Sequence, residues 1–292
     1  MESNNRETVL NSCFNLMRRL SPNDIGKNVN GLVNILTDED LKNEVIQKID
    51  QPLEVEIDSK NGREFLKCEY NRDGDAYRSP WSNKYFPESE ASPDAAFPSS
   101  DLLQLESKFN EIFVRYVNAY FDQGSTITSV YLFDTTVAGF GGCFLIKKQI
   151  QGGGVKIGTW DSIHVASVDL EKHDGKARYS VTTTVFLKMI SSNQASYGNL
   201  EIAGNLTRRR EDTVAMDPRL KSSNSDEFHI SNIGRLIEAN ESEIRQEMDA
   251  IYINKTKQIM NTGRLKEEYM TRDEKINFHN ELAAAVSGLK KL

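Results

Sequence analysis

The sequence lacks several features that would assign it to a membrane or secreted protein. It contains no apolar run of about eighteen residues, the length that a membrane-spanning helix requires. Residues 1–8 lack the basic start and apolar stretch of a secretory signal. The three cysteines, Cys13, Cys68 and Cys143, are widely spaced and match neither a disulfide framework nor a metal motif. We therefore expect no membrane span and a location in the reducing cytoplasm.

An excess of basic charge is also missing. Lysine and arginine number 36 against 43 aspartates and glutamates, which gives a formal net charge of −7 at pH 7. Because phosphate groups are bound by cationic surfaces, this balance predicts that neither nucleic acid nor an anionic membrane is the main partner. The short basic runs 208–210 and 290–291 are too small to change that prediction, and we interpret them as solvated surface charge.

No motif for catalysis, metal binding or phosphate binding stands out. The four histidines are far apart, and none pairs with a cysteine at zinc-ligand spacing. The run Asn71–Asp75 begins like a calcium loop, but Ala76 and Ser82 replace residues that such a loop requires. The glycines within 139–142 and 152–154 lack the Lys-Ser/Thr ending of a phosphate-binding loop. We predict no enzyme, no cofactor and no metal site.

The N-terminal third predicts short helices followed by irregular chain. Apolar residues within 6–47 recur at helical spacing, and Ser21 is a suitable N-cap for a new helix. Residues 48–100 are rich in turn formers and prolines, so we predict irregular structure there. Residues 101–122 predict a strong amphipathic helix that ends at Gly124.

The middle of the chain changes to the period of two that is typical of strands. In residues 177–190, apolar side chains from Tyr179 to Met189 alternate with polar ones, and Phe186 is the exception. Turn signals such as Asp174-Gly175 separate the runs. We predict a five-stranded antiparallel meander with strands at about 128–134, 141–150, 155–170, 177–190 and 198–207.

A long helix is predicted after the strands. Residues 211–228 read as a polar loop, and Ser231 can cap a helix of roughly thirty residues, about 45 Å long. Such a helix would cover a sheet wider than five strands. The pattern therefore indicates that the sheet continues in another subunit, although two identical copies could also pair through a bare edge.

The C-terminal residues 278–292 carry an apolar stripe at helical spacing. Such a stripe either docks back on its own domain or enters a groove on another protein. Pattern alone favours docking back, because most amphipathic helices face a core. The stripe consists of Phe278, Leu282, Ala285, Val286 and Leu289.

Ten segments, spread over nearly the whole chain, carry a resemblance to a known family. They are Leu16–Leu20, Asp50–Leu53, Tyr70–Asp75, Tyr77–Tyr85, Ser129–Leu132, Trp160–Val165, Asn205–Arg208, Asn232–Leu236, Ile251–Tyr252 and Lys255–Lys257. On these segments the chain resembles the β subunit of the heterodimeric actin filament capping protein. The run Tyr77–Tyr85 is the most specific, and the sequence departs from the family mainly at 87–100 and 211–228.

The resemblance implies an α+β fold and a binding activity. The N-terminal helices would form a stalk, the five-stranded antiparallel sheet would join that of a homologous α subunit under long helices, and the C-terminus would be an amphipathic tentacle helix. We expect residues 1–100 to form the stalk and connector, 101–262 the dimerisation core and 263–292 the tentacle. The implied activity is binding the barbed end of an actin filament and blocking subunit addition and loss. The end cap of another actin-related filament, as in dynactin, is the alternative.

The resemblance also implies partners and sites. It favours the outward use of the tail, with Phe278, Leu282, Ala285, Val286 and Leu289 binding actin. Regulators that carry a capping-protein-interaction motif, a basic peptide, would contact acidic residues at positions Asp50, Glu69 and Asp73; turn and cap chemistry is the alternative role of these three. A last group of residues is expected to be structural, through aromatic packing and buried charge pairs: Arg72, Tyr77, Arg78, Trp81 and Tyr85.

Overall fold

A computed structural model gives the structure of most of the chain, and the chain divides into two compact units, 1–244 and 245–292. The domain boundaries expected at residues 100 and 262 stay predictions. The described residues are 2–17, 19–20, 24–121, 126–136, 138–152, 155–171, 175–191, 200–216, 222–254, 257–258, 260–262 and 276–283.

Three short helices pack together at the N-terminus, as the sequence predicts. They are α1 (Glu2–Met17), α2 (Ile25–Ile35) and α3 (Glu39–Lys48). Asp38 caps α3, because its side chain accepts hydrogen bonds from the backbone N–H groups of Asp40 and Leu41. Helices of this length are marginal alone, so they share a small core that contains Leu10, Cys13, Leu32, Leu41 and Val45.

The segment that follows is more regular than predicted. It forms one two-stranded and one three-stranded antiparallel sheet. The prediction of irregular structure is wrong here because strands of two to four residues are too short to reveal a period of two. These strands are β1 (Glu54–Ile57), β2 (Glu64–Lys67), β3 (Arg72–Asp73), β4 (Ala76–Ser79) and β5 (Lys84–Phe86).

The predicted five-stranded antiparallel meander is confirmed, with neighbours in the order β10-β9-β8-β7-β6. The last strand ends at Ala215 rather than near residue 207, so the polar loop is shorter than predicted. Its middle, 208–212, is polar on both faces, which hid the strand period. The strands are β6 (Thr126–Asp134), β7 (Gly139–Gly152), β8 (Val155–Glu171), β9 (Lys176–Ser191) and β10 (Leu200–Ala215).

Two helices cover one face of this sheet. They are α4 (Ser100–Tyr120), which the sequence predicts, and α5 (Ser222–Met248), which begins before the predicted cap at Ser231. Gly124, the predicted stop of α4, lies outside the described residues. The core on this face combines apolar side chains of both helices with those of the strands, among them Leu105, Phe109, Phe113, Val130, Phe144, Tyr179, Ile233 and Ile237.

The stalk covers the opposite face. Leu53 and Leu66 of the stalk pack with Tyr131, Cys143 and Leu145 of the sheet. Phe186 belongs to the same cluster, which explains why it interrupts the alternation of β9: its face is buried under the stalk rather than exposed to solvent. In the second unit, Asp249–Asn254 forms a π-helical turn and residues 276–283 form a helix.

Candidate interaction sites

The outer edge of β6 is closed by side chains of α4. The backbone N–H of Leu132 donates to Glu106 Oε2 at 2.6 Å. Asn110 binds both backbone polar groups of Val130. Its Oδ1 accepts a hydrogen bond from the N–H at 2.9 Å, and its Nδ2 donates to the carbonyl at 2.9 Å. An unpaired strand edge invites another strand, and these bonds occupy three outward groups in the middle of β6 that such a strand would need. We conclude that β6 is not free to extend the sheet.

A buried ion pair holds the closing helix in place. Arg78 of β4 binds Glu106 through two hydrogen bonds, Nη1 to Oε1 at 2.8 Å and Nη2 to Oε2 at 2.7 Å. The two side chains are 3% and 0% exposed. Burial acts to lower the pKa of Arg78, but pairing with Glu106 outweighs it, so the pKa is raised. The expectation that Arg78 forms a buried charge pair is confirmed, and its partner links stalk, helix and sheet.

Glu106 and Asn110 are not among the residues predicted from the sequence, although the sequence carries a signal for them. Both residues lie on the buried face of α4, beside Leu102, Leu105 and Phe109. A carboxylate and an amide four residues apart within an apolar stripe are costly to bury unless each finds a partner. The pattern alone could have indicated a buried polar contact, but not that the contact would be a strand edge.

The outer edge of β10, in contrast, has no strand neighbour among the described residues. The strand is sixteen residues long. Ion pairs lie along it: Arg210 with Glu243 of α5, and Arg235 of α5 with Asp212. These pairs tie the strand to α5. Side chains of β10 itself bind two groups of its outer edge: Arg208 Nη1 donates to the carbonyl of Thr207 at 2.8 Å, and the N–H of Thr213 donates to Asp212 Oδ1 at 2.8 Å. These side chains are partly exposed, so an incoming strand can displace them.

A cavity of about 280 Å³ lies between the stalk and the sheet, and it brings together two of the three acidic residues predicted to bind a regulator. Asp50 and Glu69 both line it. Lys67 and Arg72 line it as well, but each is already paired, Lys67 with Glu54 at 2.8 Å and Arg72 with Glu69 at 3.2 Å. Within the described part of the chain, Asp50 has no ion-pair partner. Its burial raises the pKa of its carboxyl, against an opposing hydrogen bond from Thr184.

Asp73 is placed differently. It is not among the residues that line the cavity. Its Oδ2 accepts a hydrogen bond from the backbone N–H of Ser92 at 2.6 Å, which fastens the connector after β5 to the β3 turn. This contact favours the turn-and-cap role that the sequence left open for Asp73.

The predicted actin-binding stripe is partly described. Phe278 and Leu282 lie four residues apart on the helix 276–283 and are 50% and 51% exposed. Two residues at this spacing share one face of a helix, so the described part of the stripe is an apolar patch open to solvent. Ala285, Val286 and Leu289 lie outside the described residues.

Other kinds of site find little support in the described ranges. They hold no cluster of three or more histidine, cysteine or acidic side chains that could bind a metal ion. Nor do they include a helix with the length and apolar character needed to cross a bilayer. His164, which lies within β8, is fully buried and bonds Thr183 through Nδ1 at 2.9 Å, a contact typical of core packing.

Comparison with known proteins decides the family. A family model described as "F-actin capping protein, beta subunit" matches residues 10–260. The chain belongs to this family. It is 40% identical to the F-actin-capping protein subunit beta of Dictyostelium discoideum, over 96% of this chain and 98% of that one. It is 38% identical to the subunit of the same name from Drosophila melanogaster, over 96% of each.

A solved structure supports the fold independently of close sequence similarity. The homodimeric actin capping protein alpha subunit from Plasmodium berghei superposes with a TM-score of 0.53 at 14% identity, over 93% of this chain and 99% of that one. At this identity the likeness concerns the fold alone. The α+β fold predicted from the sequence, with its helices, five-stranded sheet and covering helix, is confirmed for this capping protein family member.

Proposed function

We propose that this chain is the β half of a heterodimer that binds the barbed end of actin filaments and blocks subunit addition and loss. Its membership of the capping protein β family over most of its length carries this proposal. The activity makes and breaks no covalent bond, and it places the protein in the cytoskeleton.

The open edge of β10 is the surface that we assign to the α subunit. The β6 edge is occupied by Glu106 and Asn110, so β10 is the edge at which the sheet can grow. A strand added there would pair with up to sixteen residues of backbone. Strand addition supplies hydrogen bonds along its whole length, which suits a stable pair of subunits.

The tail supplies the contact with actin in this proposal. Phe278 and Leu282 present apolar surface on one helical face, and their burial in a groove on actin would remove that surface from water. Complete burial of one such side chain is worth about 1.5–3 kcal/mol. Loss of one of them is therefore expected to raise the dissociation constant for barbed ends on the order of tenfold to a hundredfold.

The experiment is the elongation of pyrene-labelled actin from filament seeds. We would compare the complex of the full chain and an α subunit, the same complex lacking residues from Asn277 onward, and the variants Phe278→Ala and Leu282→Ala. Asn280→Ala is a matched control, since it lies on the opposite side of the helix. We expect the intact complex and the control to stop growth at low concentration and the other forms to be much weaker.

Either failure is informative. If a folded complex leaves barbed-end growth unchanged, the capping proposal is wrong, and the end of another actin-related filament becomes the target to test. If the complex caps but Phe278→Ala and Leu282→Ala match the control, the apolar stripe is not the actin contact.

We further propose that the cavity at Asp50 and Glu69 receives the basic peptide of a capping-protein-interaction motif. Asp50 supports this, because it is a partly buried carboxylate to which the described residues offer no cation. A lysine or arginine of a bound peptide would supply the missing charge. Asp73 is a weaker candidate for contact with the peptide, because its carboxylate already binds the backbone N–H of Ser92.

Titration of peptide binding tests this site. The Asp50→Asn complex should bind a basic motif peptide at least about tenfold more weakly, because a charge partner is lost. Glu64→Gln, an exposed acid outside the cavity lining, is the control. For the wild type, affinity should rise with pH as Asp50 ionises through its raised pKa, and Asp50→Asn should lack that rise. Equal affinities for wild type and Asp50→Asn would reject the assignment.

The stability of the fold should depend on pH in the opposite sense to the affinity for the peptide. The raised pKa means that folded Asp50 holds its proton more tightly than unfolded Asp50, so its contribution to stability is lost as pH rises through the folded-state pKa. Asp50→Asn removes this loss, and we expect it to unfold no earlier than the wild type at neutral pH. Weaker peptide binding without lower stability would separate a binding role from a structural one.

A further inference from the structure

Two cysteines from distant parts of the chain meet where the stalk contacts the sheet. Cys68 follows β2 and Cys143 lies within β7, 75 positions later, yet their Sγ atoms are 3.9 Å apart. Both are free thiols. A disulfide has a sulfur–sulfur distance of about 2.05 Å, so the two sulfur atoms would need to approach by about 2 Å. The sequence showed no pairing motif, because this contact depends entirely on the tertiary fold.

The two thiols differ in access. Cys68 is half-buried and lines the 280 Å³ cavity, whereas Cys143 is fully buried beneath it. A small solute that enters the cavity therefore meets Cys68 first. Cys143 is paired in register on both sides, with Tyr131 of β6 and Val165 of β8, so its backbone is fixed. The backbone of Cys68 is also held, because its N–H donates to Oδ1 of the buried Asn71 at 2.9 Å. Rotation of the Cys68 side chain is therefore the movement that closes the gap.

The surroundings of Cys143 favour the protonated form of its thiol. Burial, followed by the neighbouring Cys68 and Asp50, raises the pKa of the Cys143 thiol well above its ordinary value. A protonated thiol is a poor nucleophile, so direct attack by Cys143 on a solute is slow at neutral pH. These facts divide the pair into an accessible first thiol and a protected second one.

We propose that Cys68 and Cys143 form a reversible redox site that reacts with hydroperoxides. The Cys68 thiolate attacks the O–O bond, which forms an S–O bond and releases the other oxygen as hydroxide or alkoxide, leaving a sulfenic acid. Cys143 then loses its proton and attacks the Cys68 sulfur, forming the S–S bond and releasing the sulfenic oxygen as water. In sum, two thiols and one hydroperoxide give one disulfide, one water and one further water or alcohol.

The product would join the stalk to the sheet at the wall of the cavity. Cys68 shares that wall with Asp50 and Glu69, so the cross-link would alter the site proposed for the basic peptide. Formation of the disulfide itself requires neither actin nor the peptide. Failure of the redox site and failure of the proposed capping function are therefore separate results.

Mass spectrometry on the full chain in its complex with an α subunit tests the site. After treatment with hydrogen peroxide, the remaining thiols are alkylated and the chain is digested without reduction. We expect a linked peptide that contains Cys68 and Cys143, a fall in free thiols of this chain from three to one, and recovery of all three on addition of dithiothreitol. Because Cys143 must deprotonate, the cross-linking rate should rise by up to about tenfold per pH unit above pH 7.

Single variants assign the roles. Cys143→Val keeps an apolar side chain in the core, and it should trap a sulfenic acid at Cys68 that a dimedone probe labels. Cys68→Ser should abolish both the link and the label. Cys13→Ser should change nothing, since Cys13 belongs to the separate core of the three N-terminal helices. Three unchanged thiols, sulfinic acid at Cys68 with Cys143 intact, or a disulfide between two copies of the chain would each overturn the proposal.

Discussion

The two edges of the central sheet differ in how their backbone groups are satisfied. On β6, Glu106 and Asn110 of α4 bind three outward backbone groups, at Val130 and Leu132. On β10 the side chains reach sideways to α5, through Arg210 and Asp212, and no strand follows among the described residues. The first edge is closed within the chain, and the second is the edge that we propose for the α subunit.

Among the described residues, the chain places buried polar groups at only one of these two edges. A free edge is a hazard, and proteins usually protect it with charge, bulges or a covering element. Here the covering element uses a carboxylate that is itself paired with Arg78, so the protection of one edge is built into the core. The described outer edge of β10 is bound only by partly exposed side chains of the strand, at Thr207 and Thr213, and this asymmetry agrees with the proposal that the sheet joins a partner at β10.

The largest expected effect comes from breaking the closed edge. Glu106→Gln keeps the size of the side chain but leaves Arg78 as a buried charge without its partner. Removal of one member of a buried pair costs about 3–5 kcal/mol, so we expect a loss of unfolding free energy of that size. Urea denaturation of the full chain at fixed protein concentration measures it.

An exposed acid on the same helix provides the control for this change. Glu111→Gln removes one negative charge from α4 without touching the edge, and it should leave stability almost unchanged. If Glu106→Gln cost less than about 1 kcal/mol, the buried pair would not be what secures the closed edge.

An intermediate effect is expected from blocking the open edge. The N–H of Val130 points away from β7. Along an antiparallel strand, the N–H and C=O groups of successive residues point alternately toward one neighbouring strand and toward the other. The register across the sheet connects Val130 to Arg208 through the paired residues Phe144, His164 and Thr183. Because the direction alternates from pair to pair, the N–H of Arg208 points toward β9. The N–H of Thr207 then faces outward, where a partner strand would accept from it.

Proline at that position should separate folding from pairing. Thr207→Pro removes an outward donor and places a ring on the edge, which an edge strand tolerates but an incoming strand does not. We expect the α subunit to bind at least about tenfold more weakly in co-purification and titration, while circular dichroism of the chain stays unchanged. Thr207→Val, which keeps the branched shape and the N–H, should pair normally. Full pairing by a folded Thr207→Pro chain would exclude this edge as the contact.

Much of this architecture could be predicted from the sequence, because long elements repeat their pattern many times. The strand period across β7 to β9 and the apolar stripes of α4 and α5 fixed the order of elements and both layers. Short elements could not be predicted in the same way. The strands β1 to β5 have too few residues to show a period. The predicted β10 is shorter than the observed strand, because its polar middle faces charged side chains of α5.

Whether a site could be predicted also depends on whether its residues are close together in the sequence. The tail stripe is local, so spacing alone placed Phe278 and Leu282 on one face. The acidic cavity is not local: Asp50 and Glu69 meet only because the stalk folds back, and Asp73 takes a different role in the same turn. The Cys68–Cys143 contact and the edge closure by Glu106 join residues 75 and 26 positions apart, distances over which no sequence period reaches.

The smallest expected effect concerns the ion pairs along the open edge. Pairing with Arg235 lowers the pKa of Asp212, so this contact contributes stability above the unfolded-state pKa and loses it as pH falls through the folded-state value. Arg235→Ala should therefore lower the unfolding midpoint slightly at neutral pH and low salt, and it should match the wild type in acid or at high salt. The double variant with Asp212→Asn should be no less stable than the single one. A loss as large as that of Glu106→Gln would mean that both edges rest on charge pairs, and the contrast between a closed and an open edge would fail.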